Sequence, residues 1–234
     1  MSTQDSNFCF PLPPFLESDK VKLVPLVPSE HALPVFKQMQ AYPRVFDLLP
    51  MEPFADLDAF TNGYLANIRA DSGSVTFVIF DKTKAALPVA GIIGLTHTSV
   101  TDLQTEIGCA IVFPPFQRTH VTTHAVGLLL HYALDLPASS GLGLRRVSWR
   151  ANWLNKASVR TAEQMGFVFE TVLRWNRVFP PGKVAVSAGN GRQLRGGDPR
   201  AGCPGVDSVV LGLCWDDWEN GVREKVVTAM ARMY

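Results

Sequence analysis

The 234 residues predict an α+β (mixed α/β) fold built on one mixed, mostly antiparallel sheet with helices on both faces. Two observations carry this. Three apolar runs, Val75–Phe80, Val89–Ser99 and Glu106–Phe113, follow one another with short links and read as an antiparallel meander. The helix after His120 then separates Glu106–Phe113 from the next strand, Leu144–Arg150. A strand–helix–strand crossover of that kind makes the two strands parallel neighbours.

The elements follow in order. Residues 1–20 are a proline-rich, irregular lead-in, and 21–234 are expected to form a single domain. VKLVPLV, from Val21, alternates as a strand, and its Pro25 suits an edge. Ser29 is the expected N-cap of a helix reaching about Met39, with Pro34 near its first turn. A short helical piece spans Val45–Leu49, and Asp56–Ala70 is helical because Leu57, Phe60, Tyr64, Leu65 and Ile68 recur at helical spacing. Beyond the crossover come a helix Asn155–Met165, closed by Gly166, and a strand Phe167–Phe179. The Gly-rich segment 182–207 is read as a long loop insertion, a lid or a disordered stretch. Val209–Cys214 is a further strand, and Asp216 opens an amphipathic helix running to the C-terminus.

Composition narrows the function. Lys plus Arg exceed Asp plus Glu by one, and no dense basic face stands out, so no nucleic-acid partner is expected. Cys9, Cys109, Cys203 and Cys214 lack the spacing of a zinc or redox motif, and no metal is expected. The N-terminus lacks the basic region of a signal peptide, and no apolar run is long enough to span a bilayer. A soluble cytoplasmic protein without a membrane partner is the expectation.

The stretch PPFQRTHVTTHAVGLLLHYAL, Pro114–Leu134, organises the chain. A strand runs into two prolines, then a short polar loop, then a nearly all-apolar helix. The unpaired amides and partial positive charge of such a helix start form an anion site suited to phosphate.

Four blocks resemble the GNAT superfamily of acyl-CoA-dependent N-acetyltransferases, and within it the RimJ/RimL-like branch. They are VAGIIGL (Val89–Leu95), TEIGCAIVFPPFQRTHVTTHAVGLLLHYAL, RRVSWRANWLNKASVRTAEQMGFVFETVLRW and DSVVLGLCWDDW, together covering roughly Val21 to Trp218. The resemblance implies a GNAT-type fold in which the parallel strand pair splays and acetyl-CoA inserts into the cleft. By position, Ile111, Val112 and Phe113 would meet the pantetheine arm. Gln117, Arg118, Thr119, His120, Val121, Thr122 and Thr123 would meet the pyrophosphate. His120 and Thr122 stand where the family loop carries glycine, and His124 where the branch usually has Glu. Asn155 matches an asparagine that contacts the coenzyme, the favoured reading, although an ordinary helix N-cap also accounts for it. Ser158 matches a serine near the thioester sulfur.

The implied reaction is acetyl transfer from acetyl-CoA to a primary amine, on a small molecule or a protein N-terminus, by direct attack on the thioester. Glu106 is the best carboxylate for the base, with His97 and then His124 weaker. The amide of Ile111 is a candidate donor to the developing oxyanion. Ser158 is the candidate acid for the leaving thiolate. Tyr132 and Cys109 read as core. Tyr42, Phe46, Phe54, Trp153 and Trp175 cluster in the regions expected to flank the acceptor, where a core role explains most of them, and Trp215 and Trp218 offer a homodimer contact. A non-catalytic acyl-CoA-binding module is the alternative, distinguished by thiol release from acetyl-CoA against an amine panel.

Overall fold

The structure is a computed structural model that describes residues 6–183 and 189–232. Residues 1–5 of the expected lead-in, 184–188 of the Gly-rich loop and the last two residues of the terminal helix lie outside the described residues. The strands are β1 (Leu16–Glu17), β2 (Val21–Pro25), β3 (Val75–Asp81), β4 (Val89–Ser99), β5 (Gln104–Val112), β6 (Arg146–Asn152), β7 (Val168–Val178) and β8 (Gly205–Cys214). They form one sheet in the order β1-β2-β3-β4-β5-β6-β8-β7. Only β5 and β6 run parallel; every other neighbouring pair is antiparallel.

The helices are α1 (Pro28–Ala41), α2 (Ala66–Ala70), α3 (His120–Leu134), α4 (Lys156–Gln164), α5 (Trp215–Asp217) and α6 (Arg223–Ala231). A π-helical stretch, Ala59–Leu65, leads into α2, with the Asp56 carboxylate accepting the Ala59 amide at 2.8 Å. Both faces of β3 and β4 are covered, which explains their near-continuous apolar runs. On one face, Phe77, Ile79, Ile93 and Leu95 pack with Ala125, Leu129 and Leu130 of α3. On the other, Val78 and Ile92 pack with Val35, Phe36 and Met39 of α1 and with Phe46 and Phe60. Helix α3 is apolar all round because α6 lies on the side the sheet leaves open. Gly127 lets α6 lie close, since a Cβ there would push the flexible Met230 side chain aside.

Several boundaries differ from the sequence expectation. Helix α1 starts at Pro28, with Val27 as N-cap, so Ser29 caps nothing. The His31 ring accepts the Val27 amide at 2.9 Å and does the work of a cap from the next turn. The lead-in is not wholly irregular: β1 pairs Leu16 with Leu23. Pro25 lies beyond that pairing, where its missing N–H costs nothing. The Val45–Leu49 piece is a 3-10 turn at Pro43–Phe46. Strand β6 begins two residues later than expected. Strand β8 begins four residues earlier, because β7 keeps pairing as far as Val178 with Gly205. The described part of the Gly-rich segment packs on the fold: Asn190 donates to Asp207 at 3.0 Å, and the Trp153 indole donates to the Gly189 carbonyl at 3.4 Å.

The C-terminal elements are tied down by Asp135, at the end of α3. Its carboxylate accepts from Trp218 Nε1 at 2.9 Å and Arg223 Nε at 2.9 Å, and lies 2.8 Å from His131 Nδ1. Trp218 is 1% exposed, so it belongs to the core and not to a dimer surface; Trp215, at 49%, remains exposed. Burial works to raise the Asp135 carboxyl, but the bonds to His131, Trp218 and Arg223 outweigh it and hold the group below its ordinary value. A lowered carboxyl contributes stability above its unfolded value, roughly pH 4, that is lost as pH falls through the folded value. D135A is therefore expected to lower the unfolding free energy by about 2–4 kcal/mol at neutral pH. The deficit should shrink below about pH 4, as read by denaturant melts at both pH values.

Candidate functional site

The cleft begins where the parallel ladder ends. Strands β5 and β6 are in register only from Gln104 opposite Arg146 to Ile107 opposite Trp149. Beyond that, β5 continues to Val112 and β6 to Asn152 without pairing. The cause is a bulge in β5. Ile111 opposes Ile92 and Gly108 opposes Gly94, so Cys109 and Ala110 together face Ile93. Cys109 takes the left-handed conformation, φ 52°. A bulge bends the strand that carries it, here away from β6. The Tyr64 hydroxyl donates to Cys109 Sγ at 3.0 Å and braces the bend. Burial pushes both the Tyr64 phenol and the Cys109 thiol up, so neither ionises at neutral pH.

A cavity of about 270 Å³ opens at this splay. It brings together four of the sequence-predicted residues: Glu106, Ile111, Asn155 and Ser158. Glu106 is 7% exposed, and its Oε2 lies 3.1 Å from Arg150 Nη2 and 3.8 Å from His97 Nδ1. His97 sits in a second irregularity, φ 52°, between the paired positions Thr96 and Ser99 of β4. Its side chain is 64% exposed, so it joins Glu106 to solvent.

At the start of α4, Asn155 Oδ1 accepts the Ser158 amide at 3.1 Å, which is the N-cap the sequence allows. The Ser158 hydroxyl accepts from Trp149 Nε1 at 3.0 Å. That bond uses a lone pair of the oxygen and leaves its O–H free to be donated elsewhere.

The other predicted positions lie along the continuation of β5 and into α3. The Phe113 amide donates to the Ala90 carbonyl at 2.9 Å. Ladder alternation turns the Ile111 amide the same way, toward β4. The Val112 peptide faces the opening instead, and Gln117 Nε2 donates to its carbonyl at 2.9 Å. Gln117 and Arg118 are exposed, with Arg118 at φ 60°. Thr119 caps α3, accepting the Val121 amide at 3.3 Å. Val121 points into the core, and Thr122 and Thr123 are half-buried on the first turn.

His120 turns away from the loop. Its Nε2 lies 3.1 Å from Oδ1 of Asp81, which is 1% exposed and also accepts from the Thr83 amide and hydroxyl. Burial alone would raise the Asp81 carboxyl, but the Thr83 and His120 bonds bring it below its ordinary value. His124 is buried against Ser18, Nδ1 to Oγ 2.8 Å, and burial pushes its imidazole down. The Thr119 cap takes the Val121 amide, and the exposed Arg118 cation stands beside the α3 start. An open strand edge, a helix start and a cation form a donor set that fits a diphosphate on an extended amide-bearing arm.

Sequence reasoning did not single out Arg150, Asn152, Tyr64 or Arg177 for the cavity. A signal existed for the first two: in β6 the polar Ser148, Arg150 and Asn152 alternate with Val147, Trp149 and Ala151, so they share the face away from the α3 core. Of the expected acceptor aromatics, Phe46 is buried at 1% and packs edge-to-face on Phe54, while Trp175 is 43% exposed. Among the described residues one group has metal-like proximity: Cys214, Asp216 and Asp217. There Asp217 accepts the Cys214 amide at 3.2 Å as a capping box, which accounts for the cluster.

The model of the acetyltransferase (GNAT) domain matches residues 20–168, more than half of the chain. The chain belongs to the GNAT acetyltransferase family. It is an acyltransferase enzyme of mixed α/β GNAT fold, and GNAT acetyltransferases use acetyl-CoA. Solved structures agree in fold. A GCN5-related N-acetyltransferase from Brucella melitensis is 23% identical, with TM-score 0.74, over 94% of this chain and 87% of the other. A probable GNAT-family acetyltransferase from Chromobacterium violaceum is 25% identical, TM-score 0.71, over 94% and 95%. Spermidine N-acetyltransferase from Vibrio cholerae, in complex with CoA and spermine, is 16% identical, TM-score 0.62, over 87% and 100%. No curated protein matches the chain in sequence. No helix among the described residues is long and apolar enough to cross a membrane.

In this GNAT acetyltransferase the His120 side chain serves Asp81. H120G is expected to cost about 1–3 kcal/mol of stability, by thermal or denaturant melts, because it leaves a buried carboxylate short of a partner. Acetyl-CoA affinity, by calorimetry, should stay within about threefold, under ~1 kcal/mol.

Proposed function

We propose that this GNAT acetyltransferase is an N-acetyltransferase that passes the acetyl group of acetyl-CoA directly to a primary amine. The observation that carries this is the gathering of Glu106, Ser158 and the bulged β5 edge around one cavity at the β5–β6 splay. Acetyl-CoA supplies an activated thioester. Val112, with Gln117, Arg118, Thr119 and the α3 start, would hold its arm and diphosphate, and Asn155 orders the α4 turn beside them. Glu106 accepts the proton of the incoming ammonium, and His97 links it to solvent. The neutral amine then forms the new C–N bond as the C–S bond breaks. Ser158 donates its hydroxyl proton to the departing sulfur and regains one from the nitrogen, which sheds its extra proton as the amide forms. The outward-facing peptide at Val112 is better aimed than the Ile111 amide to donate to the carbonyl oxygen.

The blocks quoted above support the RimJ/RimL-like branch and a single catalytic domain over 21–234. Four free cysteines support a reducing, cytoplasmic setting. For a homodimer, the apolar outer surface of edge strand β7, with Val168 and Phe169 exposed, is better support than the terminal helix.

E106Q is expected to lower kcat by about 100- to 1,000-fold, with acetyl-CoA affinity nearly unchanged, when thiol release is followed against amines. S158A should cost about tenfold in kcat, roughly 1.4 kcal/mol. If both variants keep the parent's kcat, this assignment of base and acid is wrong.

A further inference from the structure

The acceptor side of the cavity has an unusual charge balance. Its ionisable side chains include Glu106, Arg150, Arg177 and His97. Its two guanidiniums face one carboxylate and leave an excess of one positive charge. Glu106 is already engaged by Arg150 at 3.1 Å. Arg150 Nε has no hydrogen-bond acceptor among the described residues, so one carboxylate does not satisfy that guanidinium. Arg177 has no ion-pair partner among the described residues.

Sheet register explains how two distant arginines come to one cavity. Arg150 opposes Val210 and Asn152 opposes Ser208 across β6 and β8. Two residues further along β8, Val206 opposes Arg177 of β7. Directly opposed residues of antiparallel strands project to the same face, and so do alternate residues of one strand. Arg150, Asn152, Ser208 and Arg177 therefore form a polar track across three strands on the cleft face. Leu48, Leu49 and Met51 add apolar lining, with the Leu48 carbonyl accepting from Asn152 at 3.3 Å.

We infer that the amine acceptor carries a carboxylate, read by Arg177 with Arg150 in support, and an apolar body, and is about the size of an amino acid. This rests on the acetyl-transfer reading above and names its substrate class. A planar guanidinium accepts a carboxylate through two parallel N–H···O bonds. A cavity of about 270 Å³ suits a small acceptor. A polyamine has the opposite requirement. It needs several carboxylates, and here it would meet two guanidiniums and one carboxylate already paired. The chain thus departs from the Vibrio cholerae spermidine enzyme whose fold it shares.

The test is thiol release from acetyl-CoA with phenylalanine, phenylalanine amide and spermidine as acceptors. The amino acid is expected to exceed its amide at least about tenfold in kcat/KM, with spermidine lowest. R177Q should raise KM for the amino acid about tenfold, leave kcat within about twofold and leave the amide unaffected; R177K should recover part of the loss. Arg177 is an exposed residue of an edge strand, so neither variant threatens folding. Equal or better turnover of the amide or of spermidine, or an R177Q effect of the same size on both phenylalanine derivatives, overturns the inference and leaves acetyl transfer standing. No thiol release from any amine by a protein that binds acetyl-CoA overturns both.

Discussion

The early parting of β5 from β6 is the constraint on which the rest of the site depends. Parallel strands in register would exchange backbone hydrogen bonds along their whole length and leave no cleft. Here the ladder stops at Ile107 and Trp149, because β5 spends two residues, Cys109 and Ala110, where β4 spends one. The left-handed conformation at Cys109 costs backbone energy, since it is held by a residue with a Cβ. Packing that over-determines it repays the cost. Tyr64 bonds the thiol, and at Gly91 the β5 backbone comes so close that a Cβ would lie inside contact distance of the Ile111 carbonyl oxygen. The splayed edges keep backbone polar groups that a ligand or water must satisfy. Binding an amide-bearing arm is a direct use of that debt.

Around the splay, each local structural device also positions a side chain of the proposed site. The Asn155 cap that starts α4 fixes Ser158 one turn into the cleft, and the Trp149 indole orients its oxygen. The irregularity at His97 turns an exposed imidazole toward a buried carboxylate. Arg150 pairs with Glu106 and limits what else that carboxylate can bind. Glu106 is partnered by Arg150, while Arg177 has no ion-pair partner among the described residues, and the proposed acceptor class rests on that asymmetry.

In the loop between β5 and α3, side chains stand where glycines were expected, and His120 is held off the loop by Asp81. His120 folds back onto Asp81 and His124 onto Ser18, so the bulk is absorbed by the sheet side. The left-handed turn falls on Arg118, whose exposed side chain has room and adds a cation. At the helix start itself, Thr119 supplies the cap by accepting the Val121 amide.

Much of this was legible in the sequence. The period-2 runs, the crossover helix and the Asn155–Gly166 helix specify strand order and the parallel pair, because periodicity and chain connectivity are local properties that constrain topology. The fold class, the expectation of an anion site at α3 and the candidacy of Glu106, Asn155 and Ser158 follow from these and from the block resemblance. What the sequence could not decide lies across strands. Whether Trp218 is surface or core depends on Asp135, 83 positions away. Which way the Ile111 amide points depends on a bulge set by β4. Whether Glu106 is free depends on Arg150, and the presence of Arg177 in the same cavity depends on β8 standing between β6 and β7. Sequence by itself determined the elements and their chemistry. Only the tertiary structure decided which charges face one another, because register and strand order are fixed by packing between segments far apart in the chain.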